Sequence, residues 1–181
     1  MAALDPRRLV FVDECGTHLG MAPRYARAPR GERAYGVVPR NTGPNTTLIA
    51  TLSLAGVGSA MTLEGAVDRP AFEAFVRQAL VPTLVPGQIV VLDNLSVHHG
   101  AAIRALIEGA GCRVLFLPPY SPDFAPIEQA FAKLKEAIRR AGARTRAALE
   151  AAIAAALELI TAQDAAGWFR HCGYQVPDPS L

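Results

Sequence analysis

Three acidic residues stand at positions where a carboxylate is unusual and could take part in catalysis. Asp13 and Asp93 each end an apolar run that predicts a buried strand, and Glu128 falls in the first turn of a predicted helix. A carboxylate at the end of a buried strand is costly to ionise unless a cation or hydrogen bonds compensate its charge. If the first and fourth predicted strands are parallel neighbours, both aspartates lie at the sheet edge where α/β folds place their sites.

Carboxylates without an accompanying set of cysteines or histidines favour a hard cation such as Mg²⁺ or Mn²⁺ over zinc. Two such ions about 3.5–4 Å apart can activate a water or a 3′-hydroxyl and stabilise the leaving oxygen of a phosphodiester. We therefore predict Asp13, Asp93 and Glu128 as catalytic residues and as ligands of two Mg²⁺ ions, for which Mn²⁺ can substitute. The predicted chemistry is phosphoryl transfer on nucleic acid.

The elements that would position these acids follow from the apolar patterns. Apolar or alternating runs predict strands at 7–14, 46–54, 59–65, 88–94 and 113–118, with a hairpin turn at AGVG, residues 55–58. Helical spacing predicts helices from 69 to about 80, around 101–111, from 126 to about 141 and from 145 to about 162. A short tail containing Trp168 follows.

This order, βββαβαβαα, predicts an α/β fold with a mixed five-stranded sheet and helices on both faces. The first three strands are expected to be antiparallel, and the later strand–helix–strand units parallel and buried. With 181 residues and 51% hydrophobic residues, the chain suits one sizeable core, so we predict a single domain over 1–181.

The segment LPPYSPDFAPIEQAFAKLK, residues 117–135, places several prolines directly before Glu128. Proline restricts the backbone in both the folded and the unfolded chain, so the segment predicts a fixed position for this acid. At about 100° per residue, Lys135 and Arg139 share the helix face of Glu128, while an apolar stripe faces the core. We predict that Lys135 and Arg139 contact a phosphate backbone.

Basic residues are concentrated in PRYARAPRGERAYGVVPR, residues 23–40, which we call the arginine segment. Arginine presents a planar fork that suits phosphate, so DNA contact is one interpretation of this segment. A solvated loop without a binding role is the other, and the residues alone leave both open. The predicted DNA-binding residues are Arg24, Arg27, Arg30 and Arg33.

Composition excludes several other classes of protein. No apolar run reaches the roughly 18 residues that a membrane helix needs, and the charged N-terminus lacks the apolar region of a signal peptide. We therefore expect a cytoplasmic protein without membrane contact. Cys15, Cys112 and Cys172 are widely spaced and include no CxxC pair, which argues against a disulfide framework and a thiolate zinc site.

The residues after Asp93 are expected to support the site rather than to form a metal site of their own. His98 and His99 lack a spaced set of partners and are predicted at a helix entry, with His98 contacting a phosphate or a neighbouring acid. Asn94 is predicted to orient Asp93 or a metal-bound water.

Three motifs together resemble a known family. VDE at 12–14, VLDNLSVHH at 91–99 and the proline segment resemble the acidic motifs of mariner-superfamily DDE transposases of bacterial insertion sequences. The 34 residues between Asp93 and Glu128 match that superfamily's spacing, and RAPRGERA at 27–34 is similar to its basic loop. The resemblance implies a ribonuclease H-like fold, cleavage and strand transfer of DNA, transposon ends and target DNA as partners, and a homodimer or larger complex.

The sequence departs from the family pattern at two places. Ala125 stands where members often carry an asparagine that caps the helix, a loss worth on the order of 1 kcal/mol locally. The helix-turn-helix modules that family members carry before the first acidic strand are expected to be absent here. Either a separate polypeptide encoded by an upstream frame supplies them, or the chain is a truncated copy. Two alternatives stay open: another ribonuclease H-like nuclease without strand transfer, and an inactive or domesticated DNA-binding fragment.

Overall fold

One mixed sheet forms the centre of the computed structural model, which describes residues 4–119 and 121–177. The strand order is β3-β2-β1-β4-β5. The β1–β2 and β2–β3 pairs are antiparallel, whereas β4 runs parallel to both β1 and β5, as predicted. The strands are β1 (Leu9–Thr17), β2 (Thr46–Ser53), β3 (Gly56–Glu64), β4 (Ile89–Leu92) and β5 (Arg113–Phe116).

Helices cover both faces of this sheet. A π-helical turn, Val76–Leu80, and a 3-10 turn, Val81–Thr83, extend the first helix, and a further 3-10 turn, Pro122–Phe124, lies in the proline segment. No helix of the described residues is both long and apolar enough to cross a membrane. The helices are α1 (Arg69–Phe75), α2 (Ala101–Gly109), α3 (Pro126–Ala141), α4 (Arg146–Glu158) and α5 (Ala162–His171).

The central strand β1 is buried on both faces. Leu9 and Phe11 pack into the hydrophobic cluster shared with α3, α4 and α5, while Val10 and Val12 pack into the cluster shared with α1 and α2. Successive side chains of a strand point to opposite faces, so a strand between two helical layers needs apolar residues at every position. This explains the continuous apolar run that precedes Asp13.

Strand limits differ from the predictions near the site. The predicted end of the first strand at residue 14 was wrong, because β1 pairs with β2 as far as Thr17↔Thr46. Its pairing with β4 stops at Phe11↔Val91, so Asp13 lies inside β1 but beyond the end of its neighbour. The predicted hairpin turn at 55–58 was also wrong, since the turn occupies 54 and 55 and β3 already begins at Gly56.

The predicted C-terminal tail was wrong, because residues 162–171 form a fifth helix, α5, which contains Trp168. The element order is therefore βββαβαβααα. Helix α4 ends at Glu158, and Thr161 begins α5 through a capping box with Asp164. Apolar spacing thus extended the predicted fourth helix to about residue 162, past the end of α4, and did not predict the helix that follows.

Asp164 ties α5 to α3. Its Oδ2 accepts hydrogen bonds from Lys133 Nζ at 2.7 Å and from the backbone N–H and hydroxyl of Thr161 at 2.9 and 2.7 Å. The hydrogen bond from Lys133, supported by those from Thr161, lowers the pKa of Asp164 to about 2. This carboxylate therefore caps one helix and links it to another.

We expect Asp164→Ala to lower the free energy of unfolding by about 1 kcal/mol near neutral pH, a value typical of a lost helix cap. Because the folded state depresses this pKa, the wild-type advantage should be complete above about pH 4 and fade as the pH falls towards 2. Urea unfolding of both proteins at several pH values measures the difference. Glu150→Ala, which removes an exposed partner of Arg146, is the control and should change stability little.

Candidate active site

Parallel pairing of β1 and β4 brings two of the predicted acids together. The pairs run from Leu9↔Ile89 to Phe11↔Val91. β4 ends one residue later, at Leu92, and Asp93 follows it directly, while Asp13 lies two residues beyond Phe11. Both aspartates therefore lie at the carboxyl end of β4, and the premise that the first and fourth strands are parallel neighbours is confirmed.

Helix α3 brings the third acid to this edge. Pro126 occupies the first turn of the helix, where its missing N–H costs no hydrogen bond. Ala125 caps the helix without a side-chain hydrogen bond, so the absence of the family's asparagine is not offset locally. Ile127 and Leu134 are buried in the core cluster, whereas Glu128 is exposed. The helix thus anchors itself by one side and presents Glu128 on another.

All three acids line one cleft of about 640 Å³. A fourth carboxylate, Glu14, lines it as well, although the sequence analysis did not select this residue. The signal for Glu14 was present in the sequence, since it directly follows Asp13 at the end of the same apolar run. The remaining lining residues are Asn94, Leu95, Leu117, Pro118, Pro119, Ser121 and Ala125.

Asp13 carries the clearest electrostatic sign of a site. Burial, followed by repulsion from Glu14, Glu128 and Asp93, raises its pKa to about 7, although the N–H of Glu14 donates to its Oδ1 at 2.8 Å. A carboxylate in this setting is stabilised either by binding a proton or by a nearby cation. The cleft therefore has an excess of negative charge.

His98 bridges two of the carboxylates. It is only 1% exposed; its Nδ1 lies 2.5 Å from Asp93 Oδ1 and its Nε2 lies 3.1 Å from Glu14 Oε2. Burial lowers the pKa of His98, but the hydrogen bonds to the two carboxylates outweigh it and raise the pKa to about 9. Of the two contacts predicted for His98, the structure shows the one with neighbouring acids.

The same bridge acts on Asp93. Burial raises the pKa of Asp93, but hydrogen bonds from His98 and from the N–H of Leu95 outweigh burial and lower it. Both of these donors bind Oδ1, the Leu95 N–H at 3.0 Å. Asp93 is therefore held ionised and in one orientation, with Oδ2 as the atom left for a ligand.

Asn94 does not orient Asp93 as predicted. Its Oδ1 accepts a hydrogen bond from His99 Nε2 at 2.7 Å, and the ring of His99 stacks on Phe116 with centroids 4.1 Å apart. The orienting groups of Asp93 are instead His98 and the Leu95 N–H. Spacing along the sequence could not distinguish these neighbours, because the turn after β4 decides which side chain returns to Asp93.

The residues of the cleft fit a hard divalent cation, although they do not form a finished metal site. Among residues 4–119 and 121–177, no three His, Cys, Asp or Glu side chains converge as metal ligands. Asp13, Asp93 and Glu128 nevertheless supply the oxygen ligands that Mg²⁺ and Mn²⁺ prefer, and burial and the neighbouring carboxylates raise the pKa of Asp13, which a cation would offset. His98 is excluded as a ligand because both of its ring nitrogens are already engaged.

The predicted DNA-binding residues differ in their availability. Lys135 is half-exposed and close enough to lower the pKa of Cys15, which burial nonetheless raises to about 12. Arg139 has a side chain only 16% exposed and lies 3.9 Å from Glu136, so it is less available than predicted. The arginine segment lies in the loop 18–45 between β1 and β2, and all of its arginines are exposed. In the part of the chain that the structure describes, none of them pairs with a carboxylate: Arg24, Arg27, Arg30, Arg33 and Arg40.

We expect His98→Ala to lower the free energy of unfolding of the metal-free protein by about 1–3 kcal/mol, because it leaves two partly buried carboxylates without their partner. The folded state raises the pKa of His98 from 6.5 to about 9. The wild-type advantage should therefore be complete below about pH 6 and decline as the pH rises through 9. Denaturant unfolding across this range, with a chelator present, measures it.

His99→Ala is the matched control for that experiment, since His99 is exposed and makes no contact with Asp93 or Glu14 in the described residues. A loss in His98→Ala no larger than in His99→Ala would show that the bridge does not stabilise the site.

Comparison with known proteins places this site in a family. A model of the DDE superfamily endonuclease family matches residues 8–150. No curated protein sequence matches the chain. The chain is similar to the protein in a pre-cleavage Mos1 transpososome, with a TM-score of 0.73 and 19% identity over 93% of this chain and 52% of that one.

Two further Mos1 structures show the same likeness. The catalytic domain of Mos1 mariner transposase gives a TM-score of 0.63 and 18% identity over 93% of this chain and 78% of that one. The Mos1 mariner paired-end complex with Mn gives a TM-score of 0.68 and 19% identity over 93% of this chain and 52% of that one. The chain thus spans about half the length of the protein in the DNA complexes, and the predicted ribonuclease H-like fold is confirmed. The chain belongs to the DDE superfamily endonuclease family.

Proposed function

We propose that the chain is the catalytic domain of a DDE transposase, which cleaves DNA strands and transfers them to a target in a metal-dependent reaction. The observation that carries the proposal is the convergence of Asp13, Asp93 and Glu128, from three separate elements, on one cleft with uncompensated negative charge. Membership of the endonuclease family and the fold shared with the Mos1 catalytic domain support it.

In this proposal Asp13, Asp93 and Glu128 hold two Mg²⁺ ions, or Mn²⁺ as a substitute. When bound, the ions would activate the attacking oxygen and stabilise the leaving one. The chain's own residues prepare the site for them: His98 and the Leu95 N–H hold Asp93 ionised, and the N–H of Glu14 fixes Asp13 Oδ1. Pro118 and Pro119 form part of the cleft wall.

The proposed partners are DNA and further copies of the chain. The solved relatives include a Mos1 strand transfer complex and a paired-end complex with the left transposon end. By analogy, we propose transposon ends and target DNA as substrates and a homodimer or larger assembly on the ends. Residues 1–181 are proposed as one catalytic domain, acting in the cytoplasm.

Asp93→Asn should reduce Mg²⁺-dependent cleavage of duplex DNA at least about 100-fold, because the variant loses an anionic ligand of the cations that would stabilise charge in the transition state. The fold should be retained, since the amide is nearly isosteric with the carboxylate. Gel assays of nicking measure the loss, and circular dichroism checks the fold. Glu108→Gln, which changes an exposed acid on α2, is the control and should cleave as the wild type does.

Retained cleavage in Asp93→Asn would remove Asp93 from the mechanism. A second substrate, a pre-cut end with a free 3′-hydroxyl, separates transposase from simple nuclease. Joining of this end to target DNA supports the proposal, whereas cleavage without joining would favour a ribonuclease H-like nuclease without strand transfer. Absence of both reactions and of Mn²⁺ binding by calorimetry would indicate an inactive DNA-binding fragment.

Replacing Arg27, Arg30 and Arg33 with alanine should weaken DNA binding and flatten its dependence on salt. Each lost phosphate contact lowers the slope of log affinity against log salt by about 0.9. Fluorescence anisotropy with a short duplex at several salt concentrations measures both quantities. The control removes the same charge elsewhere, at Arg8, Arg77 and Arg113; Arg8 and Arg113 lie at the opposite end of the sheet from the cleft.

An unchanged salt slope in the triple variant, or an equal change in the control, would show that the arginine segment is a solvated loop without a binding role.

A further inference from the structure

The loop that carries the arginine segment is tied to the domain by a side chain outside it. Arg144 Nη1 donates hydrogen bonds to the carbonyl oxygens of Leu19 and Met21, each at 3.1 Å. Its Nη2 lies 3.5 Å from the carbonyl oxygen of Val37. Leu19 and Met21 lie where the loop leaves β1, and Val37 lies on its return towards β2. One guanidinium therefore bridges both arms of the loop.

Other contacts close the base of the same loop. Met21 is 7% exposed and belongs to the core cluster under α3, α4 and α5. Gly20 approaches Thr42 so closely that a Cβ on Gly20 would lie 2.6 Å from Thr42 Cγ2. Nearer the strands, Thr17 Oγ1 donates to the carbonyl oxygen of Thr46 at 2.8 Å. The base of the loop is thus packed.

The tip of the loop, in contrast, lies in solvent. Tyr25 and Tyr35 are 91% and 88% exposed, and Val37 is 92% exposed. Exposed aromatic rings beside arginines are a surface that suits nucleic acid, because rings stack on bases while guanidinium groups bind phosphates. Such a tip has little packing of its own, so its direction depends on how its base is held.

Arg144 itself is placed by the helix that carries Glu128. Helix α3 ends at Ala141, and Gly142 closes it in the left-handed conformation with φ of +60°. Arg144 follows two residues later, directly before Thr145, which caps α4 through a hydrogen bond to the N–H of Ala148. Arg144 therefore lies in a short turn defined at both ends by helix caps.

The 16 residues of α3 make a rod of about 24 Å with Glu128 in its first turn and Arg144 just beyond its last. That length corresponds to roughly seven base-pair steps of about 3.4 Å. A duplex that enters the cleft beside Glu128 and follows Lys135 would reach the region of the loop base within one helical turn. The separation of the cleft from the loop is thus set by a rigid element.

We propose that Arg144 is a positioning residue for DNA binding, which holds the arginine segment in the direction that lets it contact the same duplex as the cleft. The inference rests on the proposed function, and Arg144 acts through the loop rather than on the DNA. A planar guanidinium with several donors can bind carbonyl oxygens on both arms at once. The ammonium group of a lysine keeps the charge but cannot span both arms.

The test is Arg144→Lys, compared with Arg140→Ala as control. Arg140 is 75% exposed, pairs with Glu136 and makes no contact with the loop in the described residues, so its loss removes one nearby charge without freeing the loop. Two readouts are taken: the rate of trypsin cleavage after Arg24, Arg27, Arg30 or Arg33 without DNA, and the affinity for a short duplex.

We expect trypsin to cut Arg144→Lys within the arginine segment about threefold to tenfold faster than the wild type, because the hydrogen bonds from Arg144 to the loop carbonyl oxygens are lost. DNA affinity should fall by a similar factor, because the freed loop must be ordered on binding. The salt slope should stay that of the wild type, since the phosphate-binding arginines remain. The temperature of unfolding should also stay close to that of the wild type.

If Arg144→Lys and Arg140→Ala show the same rate of trypsin cleavage and the same DNA affinity, the inference is overturned. Faster trypsin cleavage of Arg144→Lys with unchanged DNA affinity would overturn it as well. A large fall in the unfolding temperature would overturn it too, because Arg144 would then support the whole domain. Failure of the proposed DNA contact is detected separately, by unchanged binding in the Arg27, Arg30 and Arg33 variant. The trypsin readout needs no DNA and is independent of that failure.

Discussion

The short parallel pairing of β1 with β4 is the constraint on which the rest of the structure depends. It joins segments about 80 residues apart and places Asp13 beside Asp93, at an edge where β4 has ended and β1 continues. Such non-local pairing forms only when both strands are buried between helical layers, because loop closure must be offset by apolar contact. Two hydrophobic clusters, one on each face of the sheet, supply that contact. The core and the site are therefore parts of one arrangement.

The cost of this arrangement is a concentration of negative charge. Asp13, Glu14, Asp93 and Glu128 line the same cleft, and burial prevents water from screening their repulsion fully. His98 neutralises part of this charge by binding Glu14 and Asp93 together, whereas burial and the neighbouring carboxylates raise the pKa of Asp13 to about 7. A site in this condition is stable enough to fold and still favours a bound cation, as a metal-dependent nuclease requires.

Helix α3 connects the site to the surface proposed to bind DNA. Its apolar stripe is buried against the sheet, so its direction is set by the core rather than by the loops at its ends. Glu128 precedes the buried stripe and Arg144 follows the helix, and each depends on that direction for its position. A rigid helix keeps two groups at a fixed separation over a distance at which a loop could not. The cleft and the arginine segment can therefore contact the same duplex in the proposed arrangement.

The sequence by itself determined the sheet class, the strand order along the chain and the three acids, because apolar runs and the proline-flanked Glu128 are local patterns. It did not determine α5, which begins at the capping box of Thr161 with Asp164 and is held by the burial of Ala165 and Phe169. It predicted a neighbouring acid as one of two partners of His98, but it assigned Asn94 to Asp93, because the turn after β4 decides which side chain meets Asp93. The contact of His98 with Glu14, in contrast, joins residues remote in sequence, and only the packing of β1 against β4 brings them together.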